Sequence, residues 1–566
     1  MSDPQGHPSR RRWIVLGAAT LAAVLVVIVI VVLALGSPRD APRLTSSPSP
    51  SPTAGYSATA STTSADQSNL MQTLPVEVRS SAVDDDVDIV VDENTEAQRV
   101  EGFGAAMTHS SAELLSHLPD DERAALFDEL FSPEGPVRLS TLRIPIGASD
   151  FVSTDAFTFD DIEEGATDWA LDRFSLDPDR TAMIPMLQEV LAVNPEVHLI
   201  ASPWSPPAWL KTGGSLEGGR LLDDDRAYET YSGYLIRFVQ GYSDAGITID
   251  MLTVQNEPQL RYPDGYPATD MPVWQQAKLI ERLGPDLEAA GLDTGILGFD
   301  HNWELNPADA ASAPEGEDPA YQYPADLLRT PAAAWIDGIA FHCYYGDAAA
   351  QTRLWEQFPH IAIWLTECSG SGGPDESSEK VFADTFAWQS TNLLINSLRN
   401  RAAGVLTWNL ALDETGGPHR GGCESCSGVV TIASDGVVTR NAEYYVLAQA
   451  ARYLPPGSVR VESMSDTPDI QHVAFRTPDG STVLLVWNAW GQSRPVSIGD
   501  GARTITAELP AMSLSTITLT GGGASVARIL EPESNFQGDL EMSYFPIFDV
   551  TASSNDFEPV DPPDRL

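Results

Sequence analysis

Through the middle of the chain, short apolar runs alternate with longer segments whose apolar positions recur every three or four residues, the rhythm of strands followed by helices. The runs at residues 100–107, 139–147, 198–204, 251–256, 295–300, 338–344, 361–367 and 404–409 predict eight strands. Between them SSAELLSHL with DERAALFDELF, TAMIPMLQEVLAV, YETYSGYLIRFVQGYSDAG, WQQAKLIERLGPDLEAAG and VFADTFAWQSTNLLINSLRN carry the helical spacing. Eight such units predict a (β/α)8 TIM barrel over residues 99–427, with its working face at the C-terminal ends of the strands.

On both sides of this region the period shortens to two. PVEVRS and VDIVVD (within residues 73–98) precede the barrel, and GVVTI, SVRVES, QHVAF, STVLLVWNAW, RPVSI and TITAEL (within 428–520) follow it. Short alternating strands with turn residues between them, Asp479-Gly480 included, predict a β-sandwich built from segments before and after the barrel. Residues 36–72 are Ser, Thr, Pro and Ala with few large apolar groups and predict an extended, disordered stalk, and residues 521–566 an acidic, poorly ordered tail.

Residues 13–35 are uncharged and long enough to cross a bilayer as a transmembrane helix, and Arg10, Arg11 and Arg12 precede them. The positive flank predicts that residues 1–12 stay in the cytoplasm and that the protein is a single-pass membrane protein with everything after Leu35 outside. A cleaved signal peptide, with Ala34 and Gly36 near the scission point and secretion as the outcome, is the alternative.

Charge narrows the partners. Eighty acidic against 33 basic residues leave a formal charge of -47 in 566 residues, which disfavours nucleic acid and anionic membrane surfaces. Cys423 and Cys426 are close enough for a small loop disulfide, or are free thiols, and no second pair of ligands accompanies them for zinc. Cys343 and Cys368 each end a predicted strand, where packing is the expected role.

The strand ends carry the chemistry. Two apolar runs, LTV and IWLT, stop abruptly at QNEP and at ECSG, so Glu257 and Glu367 project from one rim as a pair of carboxylates. Around them fall Thr108 and His109, Trp204, Asn256, His342 with Tyr344, and Trp408 with Asn409. Indole faces, amides and paired acids are what a sugar ring binds. Arg143, inside the apolar TLRIPIG, must be paired if buried, and an orienting contact to Glu367 is the expected one; Tyr344 is expected beside it. Taken singly, each residue also has an ordinary structural role, a Trp as packing and a Glu as half of a salt bridge. The GFGAAM segment lacks the third glycine of a dinucleotide fingerprint, and no GxSxG, HExxH or GK[ST] element is present.

QRVEGFGAAMT, LRIPIGASDF, LIASPWSPPAWLKTGG, LTVQNEPQ followed by GYP, HCYYGD, WLTECSG and TWNLALDETGGP resemble, in this order, the landmarks of glycoside hydrolase family 30, the glucosylceramidase-like family. The resemblance implies a retaining β-glycosidase without metal or cofactor, with Glu257 as acid/base, Glu367 as nucleophile and Asn256 on the sugar 2-hydroxyl. Its substrate would be a carbohydrate or glycolipid, cleaved as by a glucosylceramidase or a β-1,6-glucanase; β-xylosides and β-fucosides are alternatives within the family, and a non-catalytic surface carbohydrate-binding protein is the alternative outside it. Glu257 would then need a raised pKa, from partial burial and the charge of Glu367. His109 stands where the glucosylceramidase branch is expected to carry a sugar-binding Asp, which leaves the glycone open.

Overall fold

Eight parallel strands close on themselves in sequence order. They are β1 (Gly102–Ala106), β2 (Thr141–Ile146), β3 (His198–Pro203), β4 (Met251–Thr253), β5 (Gly295–Asn302), β6 (Gly338–His342), β7 (Ala362–Glu367) and β8 (Ala402–Asn409). Each expected strand is present, most of them trimmed by a residue or two at the ends. The computed structural model describes residues 57–79, 87–261, 265–370, 372, 376–467, 469–501 and 503–521, all within the unit Ala54–Leu566. The predicted membrane segment and the acidic tail lie outside the described residues; among those described, no helix is long and apolar enough to cross a membrane.

The amphipathic segments form the outer layer, among them α1 (His109–Ser116), α2 (Asp120–Phe131), α3 (Met183–Val193), α4 (Asp225–Asp244), α5 (Val273–Ala290), α6 (Ala349–Gln357) and α7 (Ser378–Gln389). Inside the barrel, Trp364 of β7 fills the centre with Ile200, Leu297, Ala340 and Leu406. Gly404 on β8 makes room for it, because a β-carbon there would lie 2.3 Å from the indole.

Three bulges disturb the C-terminal end of the barrel. The register of β5 against β6 skips Asp300, that of β6 against β7 skips Thr366, and that of β8 against β1 skips Trp408. A bulged residue leaves the ladder and its side chain is re-aimed. Phe299 and Asp300 both take a left-handed backbone, with φ of 72° each.

The sandwich is a ten-stranded sheet whose order interleaves segments from before and after the barrel. Along Thr482–Asn488 the period of two is explicit: Leu484 and Val486 face the sandwich core, while Val483, Leu485 and Trp487 join the core shared with the barrel. Two boundaries need correction. GVVTI is not a sandwich strand: Val430–Ile432 pairs with Ala411–Leu412 and Val438–Arg440 in a separate small sheet, and a helix, α8 (Ala442–Ala451), precedes the first sandwich strand after the barrel, Val459–Met464. Nor does the stalk run to residue 72. Ser57–Ser64 is a strand paired along its length with Ser513–Thr520, and Gln72–Leu74 pairs back on it. Its hydroxyls replace the missing apolar groups: Thr62 bonds Ser515 at 2.8 Å, and Thr63 accepts from Gln449 of α8 at 3.2 Å.

Two disulfides are present, Cys343–Cys368 and Cys423–Cys426. The first corrects the packing role expected for Cys343 and Cys368. They leave the ends of neighbouring strands β6 and β7 with their α-carbons 5.2 Å apart, within bridging range.

Glu443, in the first turn of α8, is fully buried; one carboxylate oxygen accepts from Ser427 and the other has no partner within the protein. Burial pushes its carboxyl up to about 7. A raised folded-state value adds stability that is complete below the unfolded value and is lost as pH rises through the folded one. Glu443→Gln should therefore gain on the wild type by about 3 kcal/mol between pH 4.5 and pH 8 in denaturant titrations; a difference that does not change with pH contradicts this.

Candidate active site

An arginine within an apolar strand sets the site. Arg143 of β2 is fully buried, and its guanidinium donates to Glu367 Oε2 at 2.5 Å, Asn256 Oδ1 at 2.6 Å and Asp300 Oδ2 at 3.0 Å. Burial works against this charge, but Asp300 and then Glu367 outweigh it and raise the pKa. Trp204 and Trp408 lie around the guanidinium at 5.0 and 5.5 Å and stack on each other. At 3% exposure each, these indoles serve the arginine rather than offering open platforms.

Asp300 is the second fixed point. Its carboxylate accepts from Ser202 on β3 (2.8 Å), Thr253 on β4 (2.7 Å) and Thr366 on β7 (2.7 Å), and contacts His342 Nε2 on β6 at 3.1 Å. Burial alone would raise its pKa; Arg143, His342 and Thr366 hold it well below the usual carboxylate range.

Glu367, at the end of β7, receives Tyr344 Oη–H at 2.8 Å on the oxygen not held by Arg143. Burial raises its pKa against the pull of His342 and Arg143, and the charge of Glu257 adds to the rise. Glu257 follows β4 with a left-handed backbone, φ 45°, a conformation costing about 1–3 kcal/mol in a residue other than glycine. The turn is pinned by Asn256 N–H to Pro203 O (2.8 Å) and Glu257 N–H to Asp300 O (2.9 Å). Its Oε1 lies 3.1 Å from His342 Nδ1 and 3.4 Å from His301 Nδ1. The expectation of a raised pKa for Glu257 is corrected here: burial does push upward, but the two imidazoles outweigh it and hold the group low. His342, between Glu257 and Asp300, is raised to about 9, because Glu367, Asp300 and Glu257 overcome the cost of burying its charge.

The remaining expected residues divide. Asn409 is buried, with Oδ1 accepting from Thr108 at 2.9 Å and Nδ2 without a partner. His109 does not join the carboxylate cluster. Its Nε2 binds Asp179 at 2.8 Å, Asp179 accepts from Tyr242 of α4, and its ring meets Phe157 edge-on. The acid near the two glutamates is instead Asp150, in the loop after β2 and 7% exposed. Burial first, then the charges of Glu367 and Glu257, push it up to about 8. Gly422 lets the loop after β8 close on it, since a β-carbon there would sit 2.4 Å from Oδ2. Sequence reasoning missed Asp150, Asp300 and His301. The signal for Asp300 was an acid inside an apolar strand, the argument already applied to Arg143. Among the described residues, one group has metal-ligand spacing: Glu257, His301 and His342.

A (β/α)8 barrel whose strand ends four and seven present a carboxylate pair, backed by a buried arginine and aromatic residues, is the site of a glycoside hydrolase. Residues 100–454 match the Glycosyl hydrolase family 30 TIM-barrel domain and residues 457–517 the Glycosyl hydrolase family 30 beta sandwich domain, and the chain belongs to that family. It is 31% identical over 427 residues to an endo-1,6-beta-D-glucanase of Aspergillus fumigatus, covering 71% of this chain and 80% of that protein. Against the lysosomal acid glucosylceramidase of Mus musculus it is 29% identical over 419 residues, covering 71% and 77%. A solved endo-beta1,6-glucanase superposes with a TM-score of 0.72 at 26% identity, over 81% of this chain and 99% of the other.

If Asp300 is the counter-charge that keeps Arg143 buried, Asp300→Asn should cost about 3–5 kcal/mol of stability, the cost of breaking a buried pair. Asp150→Asn should instead gain on the wild type as pH rises from 4 to 7, since the folded chain must hold a proton there that the unfolded carboxyl releases. Denaturant titrations of both variants check this, and equal losses would contradict it.

Proposed function

We propose that this chain is a retaining β-glycosidase that cleaves β-1,6-linked glucan by double displacement, with Glu367 as nucleophile and Glu257 as acid/base. The observation that carries the reading is the shared clamp. Arg143, Asp300 and His342 bond to one another or to Glu257 and Glu367 in one cluster, which supports both carboxylates acting on one sugar.

In the first step a Glu367 oxygen attacks the anomeric carbon while the bond to the leaving oxygen breaks. Arg143 and the Tyr344 hydroxyl keep the attacking group oriented and anionic. A proton held on His342 Nδ1, 3.1 Å away, passes to Glu257 and from Glu257 to the leaving oxygen, which leaves Glu257 ionised; the second step returns a proton by the same route. In the second step Glu257 draws a proton from water, the water oxygen bonds the anomeric carbon, and the bond to Glu367 breaks. Asn256 presents its Nδ2 to the sugar 2-hydroxyl, because its Oδ1 is engaged by Arg143. Asp150, a neutral acid beside the pair, both donates to and accepts from sugar hydroxyls.

Similarity to endo-1,6-beta-D-glucanases in both sequence and structure supports β-1,6-glucan. A glucosylceramide is the second reading, on the similarity to the mouse enzyme. The apolar segment at residues 13–35 with its arginine flank, and two disulfides, support a catalytic unit tethered outside the cytoplasm.

Glu367→Gln should abolish turnover of aryl β-glucosides and of β-1,6-glucan while the chain stays folded, as a cooperative thermal melt shows. Glu257→Gln should lose about 10²–10⁴-fold on substrates with poor leaving groups, and much less on activated ones. Added azide should revive Glu257→Gln as the β-glycosyl azide and Glu367→Gln as the α-anomer. Wild-type rates in Glu367→Gln, or the reverse pattern of anomers, would overturn the assignment. A matched panel of aryl β-glucoside, xyloside and fucoside, β-1,6-glucan and glucosylceramide identifies the glycone and the linkage.

A further inference from the structure

Glu257, His301 and His342 offer one carboxylate oxygen and two imidazole nitrogens, all within 4.8 Å of one another. We propose that these three side chains form a reversible binding site for a borderline divalent transition-metal cation such as zinc, and that an ion bound there stops hydrolysis.

The spacing fits such an ion. Ligand atoms on a tetrahedral zinc with bonds of about 2.0–2.1 Å are about 3.3–3.4 Å apart. His342 Nδ1 and His301 Nδ1 lie 3.1 and 3.4 Å from the same Glu257 oxygen. The third edge, between the two ring nitrogens, is at most 4.8 Å.

His301 supplies the independent sign of a ligand. It is 2% exposed, its Nε2 has no hydrogen-bond partner within the protein, and its Nδ1 has only the 3.4 Å contact with Glu257. A buried imidazole with one long contact carries a desolvation cost that is only partly offset, and an ion at the centre of this triangle lowers it. His342 is backed in the manner of metal-binding histidines. Its Nε2 lies 3.1 Å from Asp300, and a carboxylate behind the ring fixes the orientation that aims Nδ1 at Glu257. Asp300 is in turn held by Ser202, Thr253 and Thr366, so the ring has little freedom to turn away.

Ligand chemistry selects the ion. Two imidazoles and one carboxylate suit zinc, copper, nickel or cobalt, whereas magnesium and calcium take six or more oxygens. The carboxylates of Glu367 and Asp300 nearby favour a cation in this corner of the barrel mouth. Glu257, with its side chain 15% exposed, leaves the site reachable from solvent. Inhibition rests on the acid/base reading of Glu257, since the ion takes the carboxylate oxygen and the Nδ1 through which the proton would pass; binding of the ion does not rest on it.

The test is isothermal titration calorimetry of the full chain with zinc chloride in 0.1 M sodium chloride, with magnesium chloride in parallel. One saturable zinc per chain is expected and no comparable magnesium site. His301→Ala, His301→Gln and Glu257→Gln should each weaken zinc by about 100-fold or more, a ligand counting at least as much as the outer partners of metal sites. Thermal melts confirm which variants are folded. No stoichiometric zinc, equal binding of magnesium, or wild-type zinc affinity in folded His301 variants, as surface carboxylates alone would give, overturns the site. Zinc should also abolish hydrolysis of an aryl β-glucoside, and EDTA should restore it. Stoichiometric zinc without inhibition overturns the inhibitory half and counts against Glu257 as the acid, while the metal site stands.

Discussion

A guanidinium with no exposure to water, set inside a strand of the barrel, is the constraint on which the site depends. Arg143 cannot stay charged there without acids brought to it, and the chain brings two, Asp300 from β5 and Glu367 from β7. The pairing is worth little as net stability, because desolvation offsets most of the attraction, but it is expensive to break. Its contribution is geometric: partners on β3, β4, β6 and β7 converge on Asp300, so one carboxylate ties most of the barrel mouth into a single arrangement. The left-handed turns at Asp300 and Glu257 persist because those bonds hold them.

Within that arrangement three carboxyl groups acquire different characters. Glu367 shares its charge between an arginine and a tyrosine; Glu257 faces two imidazoles; Asp150 has burial and negative neighbours that outweigh its backbone hydrogen bonds, and keeps its proton near neutral pH. Separate roles for chemically similar groups come from such differences in surroundings. The same histidines that hold Glu257 low also supply a proton store and a set of metal-ligand atoms, so the corner serving acid catalysis is also where a cation would interfere.

Much of this was legible in the sequence. An apolar run ending in one acid marks a strand delivering a carboxylate to a rim, and it located Glu257 and Glu367; an arginine inside such a run needs a partner, and it located Arg143. The bulges were not legible. They move Asp300, Thr366 and Trp408 out of the alternation that sequence patterns assume, so Asp300 read as one more strand residue. Pairing was hidden for a related reason: Cys343 and Cys368 meet only through the register of β6 and β7, and Ser57–Ser64 looks disordered until its hydroxyls are placed against Ser515 and Gln449. His109 drew attention by its place in a motif, whereas its contacts are with Asp179 and Phe157.

The most direct test of the account is to trap the glycosyl-enzyme. Incubation of the wild-type chain with a 2-deoxy-2-fluoro β-glucoside bearing an activated leaving group, followed by proteolysis and mass spectrometry, should find one covalent sugar per chain, on Glu367. A label on any other residue, or turnover with inversion at the anomeric carbon, would contradict it.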